Sequence, residues 1–399
     1  MSKIAIIHSI YKPDTRGGAE VVVESIARGL KEKNEDVFVI AVGRENKKED
    51  IDGVKVYRIK PFNLFNFLDI NQKSIGLRFF WHIWDMFNDV QAWRVYKVLR
   101  DEKPDVVMTH NLKGLGYYIP WLLKIMKIDH IHTVHDAQLL HPSGLTDSEA
   151  NLSFLARFYA WSSRRLFGSP RVVIFPSKYS QEIYNKWGFF KESERVVLGN
   201  PVNIGGVKTG KTKNSKLNLL FLGQVEEYKG IMELIQAIKR LKKENDKLDI
   251  VLHVVGSGGA FNSAKEAAGS LLDETVMFYG RLDSQGLESD IWPKIDILVN
   301  PTKVPESFGM VVLEAFSHGV PVIASRMGAL PELVSDDCGF LVKSGNVDEL
   351  KDKIKFILDN QNILASMSKN CSEKVKEYDI EVYLTRLAEY ANLGFKAHS

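Results

Sequence analysis

The chain's 399 residues exceed what one hydrophobic core usually supports, so two domains are expected. Hydrophobic residues at 45% and charged residues at 26% exclude a disordered or fibrous chain, and a net charge of +3 is too small to argue for nucleic acid. No apolar run reaches the 18 or more residues that a membrane span needs, and Cys338 and Cys371 form neither a metal nor a redox spacing. The first ten residues lack the cationic start and small-residue cleavage site of a signal peptide. The expected location is therefore cytoplasmic, with peripheral contact at the inner face of a membrane as a further expectation.

Residues 3–8 read as a first parallel strand, and 19–30 have helical periodicity. Strands follow at 37–42, 54–59, 105–110, 131–135 and 171–175, with helical stretches between them. This alternation predicts a doubly wound parallel sheet. Residues 200–216, rich in Gly, Lys, Asn and Thr, read as a linker. A second alternation starts at 217, with strands at 217–222, 250–255, 276–279, 295–299 and 321–324. The predicted domains are 1–199 and 217–379, with a last amphipathic helix from about 380 to 399 for which the sequence leaves open whether it stays with the second domain or crosses back onto the first. Two such α/β halves set their strand ends across a cleft, and open α/β sheets bind ligands at those ends.

Several strand ends carry candidate chemistry. Arg16-Gly17-Gly18-Ala19-Glu20 opens the first helix, where two glycines allow close approach to an anion, or merely make a turn. Thr133-Val134-His135-Asp136 ends a strand, so His135 is expected to face the cleft; a structural histidine is the plainer alternative. His110-Asn111 is a weaker instance of the same pattern. Gly223 to Gly230 follows the first strand of the second half and places Lys229 just before a helix N-terminus. Gly256 ends the next strand in a glycine turn, which would let a base or ribose lie against backbone.

The most informative stretch is Pro305-Glu306-Ser307-Phe308-Gly309-Met310, continuing to Glu314-Ala315. Asn300-Pro301-Thr302 breaks the strand before it, and Ser307 is the expected N-cap of a helix starting near Phe308. Glu306 would then sit on a loop at a strand's carboxyl end, with Glu314 about two turns into the helix. The amides of Phe308, Gly309 and Met310 would face an anion. Phosphates need amides and sugar hydroxyls need carboxylates, so the pattern suits a sugar nucleotide. Two acids near a helix start are also common for dipole reasons alone. Residues 62–84 form an aromatic region near Arg78, Arg94 and Lys97, read more readily as core than as a membrane or acceptor surface.

Taken together and in order, these elements resemble glycosyltransferase family 4, the retaining group 1 glycosyltransferases of the GT-B fold. The resemblance covers nearly the whole chain. It is strongest from 219 to 341, above all in Asn300-Pro301, Glu306-Ser307-Phe308-Gly309, Leu313-Glu314-Ala315 and residues 319–324. It implies two Rossmann-like domains facing across a cleft, and a nucleoside-diphosphate sugar as co-substrate. The acceptor would be a glycan or a lipid-linked glycan, with no cofactor, metal or nucleic acid. By position, the resemblance puts Gly17 and Gly18 near the donor phosphate, His135 at the donor sugar and Lys229 on the pyrophosphate. Glu306 would lie beside the sugar with Ser307, Phe308, Gly309 and Met310 around it, and Glu314 would hold the ribose hydroxyls. Gln224 departs from the pattern: the family usually has arginine there. Glutamine donates hydrogen bonds but brings no charge, so Lys229, Arg16 or Lys303 would carry more of the leaving group. Two alternatives to sugar transfer stay open here, a sugar-nucleotide epimerase of related fold and a sugar-nucleotide-binding protein with weak catalysis.

Overall fold

A computed structural model describes residues 1–15, 17–144, 154–204 and 216–393. The chain divides into two compact units, residues 1–201 with 379–399 and residues 202–378. Each is built on its own sheet, and each sheet has a separate core.

The first unit holds strands β1 (Lys3–Ile7), β2 (Asp36–Val42), β3 (Lys47–Ile51), β4 (Val54–Ile59), β5 (Val106–Thr109), β6 (Asp129–Thr133), β7 (Val172–Phe175) and β8 (Glu194–Val197). They form one eight-stranded sheet in the order β3-β4-β2-β1-β5-β6-β7-β8. Only β3 runs antiparallel, hydrogen-bonded to β4 at the edge. Its sequence, KKEDI, is charged and exposed, so it lacked the apolar run by which β1, β2, β4, β5, β6 and β7 are read; the short edge strand β8, ERVV, was not read either. The inner strands β1, β2, β5 and β7 are almost wholly buried, as expected when helices cover both faces. Helices α1 (Gly18–Glu32), α2 (Ile75–Met86), α3 (Asp89–Glu102), α4 (Ile119–Met126), α5 (Phe154–Phe167) and α6 (Lys178–Lys186) belong to this unit.

The second unit has a six-stranded parallel sheet of β9 (Leu217–Leu222), β10 (Ile250–Val255), β11 (Val276–Gly280), β12 (Ile297–Asn300), β13 (Val322–Ser325) and β14 (Gly339–Val342). The order is β11-β10-β9-β12-β13-β14. Its helices are α7 (Ile231–Glu244), α8 (Phe261–Ala268), the short α9 (Ser284–Gly286), α10 (Met310–Ser317), the short α11 (Leu330–Leu333), α12 (Val347–Asp359) and α13 (Ile363–Lys374). The last helix, α14 (Ile380–Ala391), packs on α1 in the first unit. The close fit there depends on Gly29, where a Cβ would stand 2.5 Å from Leu384 Cδ1. Most of the 200–216 stretch read as a linker, the end of the helix read to 399, and Arg16 lie outside the described residues.

Both sheets reverse direction once. In the first unit the chain leaves β1 toward β2 on one side and reaches β5 on the other. In the second, β9 stands between β10 and β12 in the same way. Such reversal points open a crevice beyond the carboxyl ends of the two central strands.

The aromatic region 62–84 is split, which corrects the reading of it as core. Trp81, Phe67 and Met86 are buried in the core of the first unit. Phe62, Leu64, Leu77, Phe80, Ile83 and Trp84 are exposed.

Candidate functional site

In the second unit the loops after β9 and β12 flank the reversal point, and they are locked together by backbone. Gly230 has φ +77° and ends the 3-10 turn Glu227–Lys229; a Cβ on it would lie 2.0 Å from the Pro301 carbonyl oxygen. The Lys303 amide donates to the Tyr228 carbonyl at 2.7 Å. This contact delivers Lys229 to the loop that carries Glu306, and Lys229 Nζ donates to Glu306 Oε1 at 2.7 Å. Both side chains are largely shielded from solvent.

Glu306 is clamped from its other side. Gly328, with φ +57°, brings its Cα so close that a Cβ would stand 2.4 Å from the Glu306 carbonyl oxygen. The next amide, Ala329, donates to that oxygen at 2.9 Å. The carboxylate is thus placed by three strand-end loops, those after β9, β12 and β13.

The helix after Glu306 starts later than its sequence suggested. Gly309, with φ +110°, is the N-cap and Met310 the first residue of α10, so Ser307 is not the cap. The opening amides of α10 lack intrahelical acceptors, as in any helix. Phe308 turns inward, buried against Tyr378 at 5.8 Å between ring centroids. Glu314 lies one turn into α10 rather than two. Beside it, His318 stacks on Trp292 at 4.4 Å, and the His318 nitrogens face the Glu314 carbonyl and the Glu288 carboxylate. Burial pushes the Glu314 carboxyl up to about 7; His318 opposes the rise and Glu288 adds to it.

Gln224 accepts a 2.8 Å hydrogen bond from the Tyr228 hydroxyl. Lys303 is held by Glu233 on α7 at 2.8 Å, so its charge is already paired. Gly256 serves close backbone packing: with φ +139°, its Cβ would overlap the Gly223 carbonyl oxygen at 1.7 Å. Two polar groups that received no role from the sequence also sit at these strand ends. Asn300 Nδ2, ending β12, and Ser325 Oγ, ending β13, are buried without a hydrogen-bond partner. A polar residue closing an apolar strand was the available signal.

The first unit has its own cluster at its reversal point. Gly17 caps α1 and Gly18 begins it, but the Gly17 amide is taken by the Glu20 carboxylate at 2.8 Å. This anion-binding position is therefore filled by a side chain of the same helix. Burial pushes the Glu20 carboxyl up, yet it lies below its ordinary value because His8 and the helix amides outweigh that penalty. His8, His110 and His135 follow β1, β5 and β6, and their rings lie 5.1 to 6.1 Å apart between centroids. His110 Nδ1 and His135 Nε2 share a hydrogen bond of 2.8 Å. His135 therefore turns one nitrogen onto a neighbouring histidine, and its Nδ1 is buried without a partner. The residue as a whole is partly exposed. Burial holds both imidazoles neutral, His135 down at about 3 and His110 well below its ordinary value. Among the described residues, no group of three His, Cys, Asp or Glu side chains is placed to hold a metal ion.

Residues 208–377 match the family model of the glycosyl transferases group 1, and residues 16–205 match that of glycosyltransferase family 4. An uncharacterized 42.6 kDa protein in the cps region of Klebsiella pneumoniae is 29% identical over 338 residues, which cover 83% of this chain and 87% of that protein. Among solved structures, the sucrose-phosphate synthase of Thermosynechococcus elongatus aligns over 98% of this chain and 99% of its own, with a TM-score of 0.76 at 18% identity. The Anabaena HepE protein in complex with UDP and glucose aligns over the same shares, with a TM-score of 0.70 at 19% identity. At these identities the structural likeness is one of fold.

Proposed function

Because the chain is a glycosyltransferase of the GT-B fold, we propose that it moves a sugar from a nucleoside diphosphate to an acceptor hydroxyl with retention of anomeric configuration. The observation that carries this reading is the Lys229–Glu306 pair at the reversal point of the second sheet. A cation and a carboxylate in contact, beside the opening amides of α10, supply what a sugar pyrophosphate needs. Lys229 and the amides meet the phosphates, and Glu306 meets the sugar hydroxyls. Glu314 accepts from the ribose hydroxyls. The likeness to HepE, solved with UDP and glucose, makes UDP the first base to test.

As the glycosidic bond breaks, negative charge grows on the departing pyrophosphate. Lys229 lies where it can meet that charge once a donor separates it from Glu306. The role is the one a metal would otherwise fill, so transfer is expected to need none. Glu306, freed from Lys229, stabilises the positive charge of an oxocarbenium-like sugar while the acceptor hydroxyl attacks from the face the leaving group has vacated and passes its proton to the departing phosphate oxygen. The acceptor is a glycan or lipid-linked glycan of surface polysaccharide synthesis, in keeping with the cps-region relative.

The test is a panel of nucleoside-diphosphate sugars, each with and without glycan acceptors and with chelator present. The expected result is acceptor-dependent release of nucleoside diphosphate, with a product of retained configuration by NMR. Isomerised donor without acceptor would make the protein an epimerase. Binding without release across the panel would make it a binding protein.

A further inference from the structure

The sheet of the first unit is covered on one face by helices that arrive in sequence. The chain passes from β4 through α3 to β5, from β5 through α4 to β6, and from β6 through α5 to β7, moving the same way each time. Right-handed crossovers place all three helices on one face, and α3 packs on α4 and α4 on α5. Helix α2 joins this layer through Phe62, whose ring lies 6.3 Å from Trp84 of α2 and 6.0 Å from the Arg94 guanidinium of α3.

The outer side of this layer is not the polar surface expected of covering helices. Helix α2 buries Trp81, Asp85 and Met86 and turns Leu77, Phe80 and Trp84 outward, with Phe80 63% exposed. Trp121 of α4 is 58% exposed, and Phe154, at the start of α5, is 82% exposed. Phe158 and Trp161 continue the stripe on α5, stacked on each other at 6.0 Å.

The charges along the middle of the layer are cationic. Helices α2, α4 and α5 contain a single acid, Asp85, and it is buried, accepting from the Gly114 amide at 2.9 Å. Helix α3 has exposed acids only at its ends, Asp89 and Asp101, the latter paired with Arg100. The cations lie along the aromatic rings. Lys97 Nζ is 3.4 Å above the Trp93 ring, and the Arg165 guanidinium is 5.3 Å from the Trp161 ring. Indoles and phenyl rings flanked by long cationic stems suit the boundary between lipid headgroups and acyl chains. There the rings enter the boundary and the stems reach anionic phosphates.

We infer that the outer helix layer α2–α5 of the first unit is a docking surface for a bilayer carrying anionic lipids. The rings of Phe80, Trp84, Trp121, Phe158 and Trp161 enter the headgroup boundary, and Lys97, Lys124, Arg157 and Arg165 pair with phosphates. No helix among the described residues is long and apolar enough to cross a membrane, so the attachment is peripheral.

Flotation with vesicles of phosphatidylcholine, alone or mixed with phosphatidylglycerol, tests this. The whole protein is expected to float with the mixed vesicles, to stay behind with phosphatidylcholine alone, and to be released by high salt, with tryptophan emission moving to the blue on binding. The double substitutions Phe80→Ser with Trp84→Ser, and Phe158→Ser with Trp161→Ser, should each lower vesicle partition by about tenfold or more. All these side chains are exposed, so circular dichroism and melting should be unchanged. Failure of the wild-type protein to float, or undiminished flotation of both doubles, overturns the inference. So does a solution dimer that the doubles dissociate, which would make the layer an interface between copies. Neither donor nor acceptor is present, so failure of sugar transfer leaves this result standing, and failure to float leaves the transfer reading standing.

Discussion

Lys229 Nζ donates a 2.7 Å hydrogen bond to Glu306 Oε1, joining the loops that leave β9 and β12. The contact holds two catalytic candidates in a resting pair that a sugar pyrophosphate would open. Replacing Glu306 with Gln keeps the shape and removes the charge. Transfer should fall about 10²–10³-fold while nucleotide affinity stays within a few-fold. Lys229→Ala removes the cation from the phosphates instead. Nucleotide affinity should then fall roughly tenfold to a hundredfold, as expected for hydrogen bonds to charged groups. Each change leaves one partner of a largely shielded pair without its counter-charge, so melting temperatures measured on both variants keep loss of function apart from loss of fold. Calorimetric titration with UDP and initial rates of nucleotide release separate the two effects.

Gly328 sets the position of Glu306 from behind. A Cβ there would overlap both the Glu306 carbonyl oxygen, at 2.4 Å, and its amide nitrogen, at 2.5 Å. Gly328→Ala should push the Glu306 loop outward and lower transfer about 10²-fold, the usual cost of a displacement near 1 Å. Gly345→Ala is the control. Gly345 also has positive φ, +71°, but nothing lies within 4 Å of its would-be Cβ. It should lose about 1–2 kcal/mol of stability from backbone strain and keep its rate. Equal loss of rate in both variants would show that Gly328 acts only through stability.

Gln224 stands where an arginine was expected, and its side chain is engaged by Tyr228. Gln224→Arg would add a charge next to Lys229 with a fork suited to a pyrophosphate. UDP should bind roughly tenfold more tightly if Gln224 faces the phosphates. Unchanged affinity would place position 224 away from them.

Much of this was legible in the sequence, and the gaps have physical causes. The parallel strands were readable because burial on both faces leaves continuous apolar runs such as 219–222 and 322–324. The edge strand β3 was missed because exposure permits KKEDI. The start of α10 was misplaced because Ser307 is the better capping residue by type, while the turn requires the positive φ of Gly309. The pairing of Lys229 with Glu306 could not be read at all, since it depends on Gly230 seated against Pro301, residues far apart in sequence. The aromatic helix α2 misled for a different reason: apolar residues surround it, and periodicity does not say which side faces outward.

His110 and His135 share one proton across 2.8 Å, both neutral because burial opposes their charged forms. His110 is therefore a positioning residue for His135. His110→Phe keeps a ring but removes the nitrogen, so transfer should fall roughly tenfold. UDP affinity should not change, because the residues proposed to bind UDP belong to the second unit. The wild-type rate should show no inflection from His135 between pH 5 and 8, its folded value lying at about 3. Stability has a sign of its own. The folded values of these histidines lie below the unfolded one, so the unfolded chain binds more protons below about pH 6.5. Their contribution is complete at neutral pH and is lost as pH falls through that value, visible as a drop in melting temperature that His110→Phe should lessen.

Glu314 shows the opposite linkage. Its folded carboxyl is raised to about 7, burial being the main cause, while an unfolded glutamate titrates near its ordinary value of 4.5. Between these values the folded state binds more protons, so the residue costs stability as pH rises from about 4.5 to 7. Above 7 the full penalty is present, on the order of 1–3 kcal/mol. Glu314→Gln should therefore raise the melting temperature at pH 8 and leave it nearly unchanged at pH 4.5. Donor binding reverses the benefit. On the proposed role, in which ribose hydroxyls donate to the charged carboxylate, UDP should bind more tightly at pH 8 than at pH 6, by up to about tenfold, with proton release on binding at pH 6. In Glu314→Gln that pH dependence should vanish and affinity should fall at pH 8. Calorimetry in buffers of different ionisation enthalpy counts the proton directly. UDP affinity that stays flat from pH 6 to 8 in the wild-type protein would remove Glu314 from the ribose.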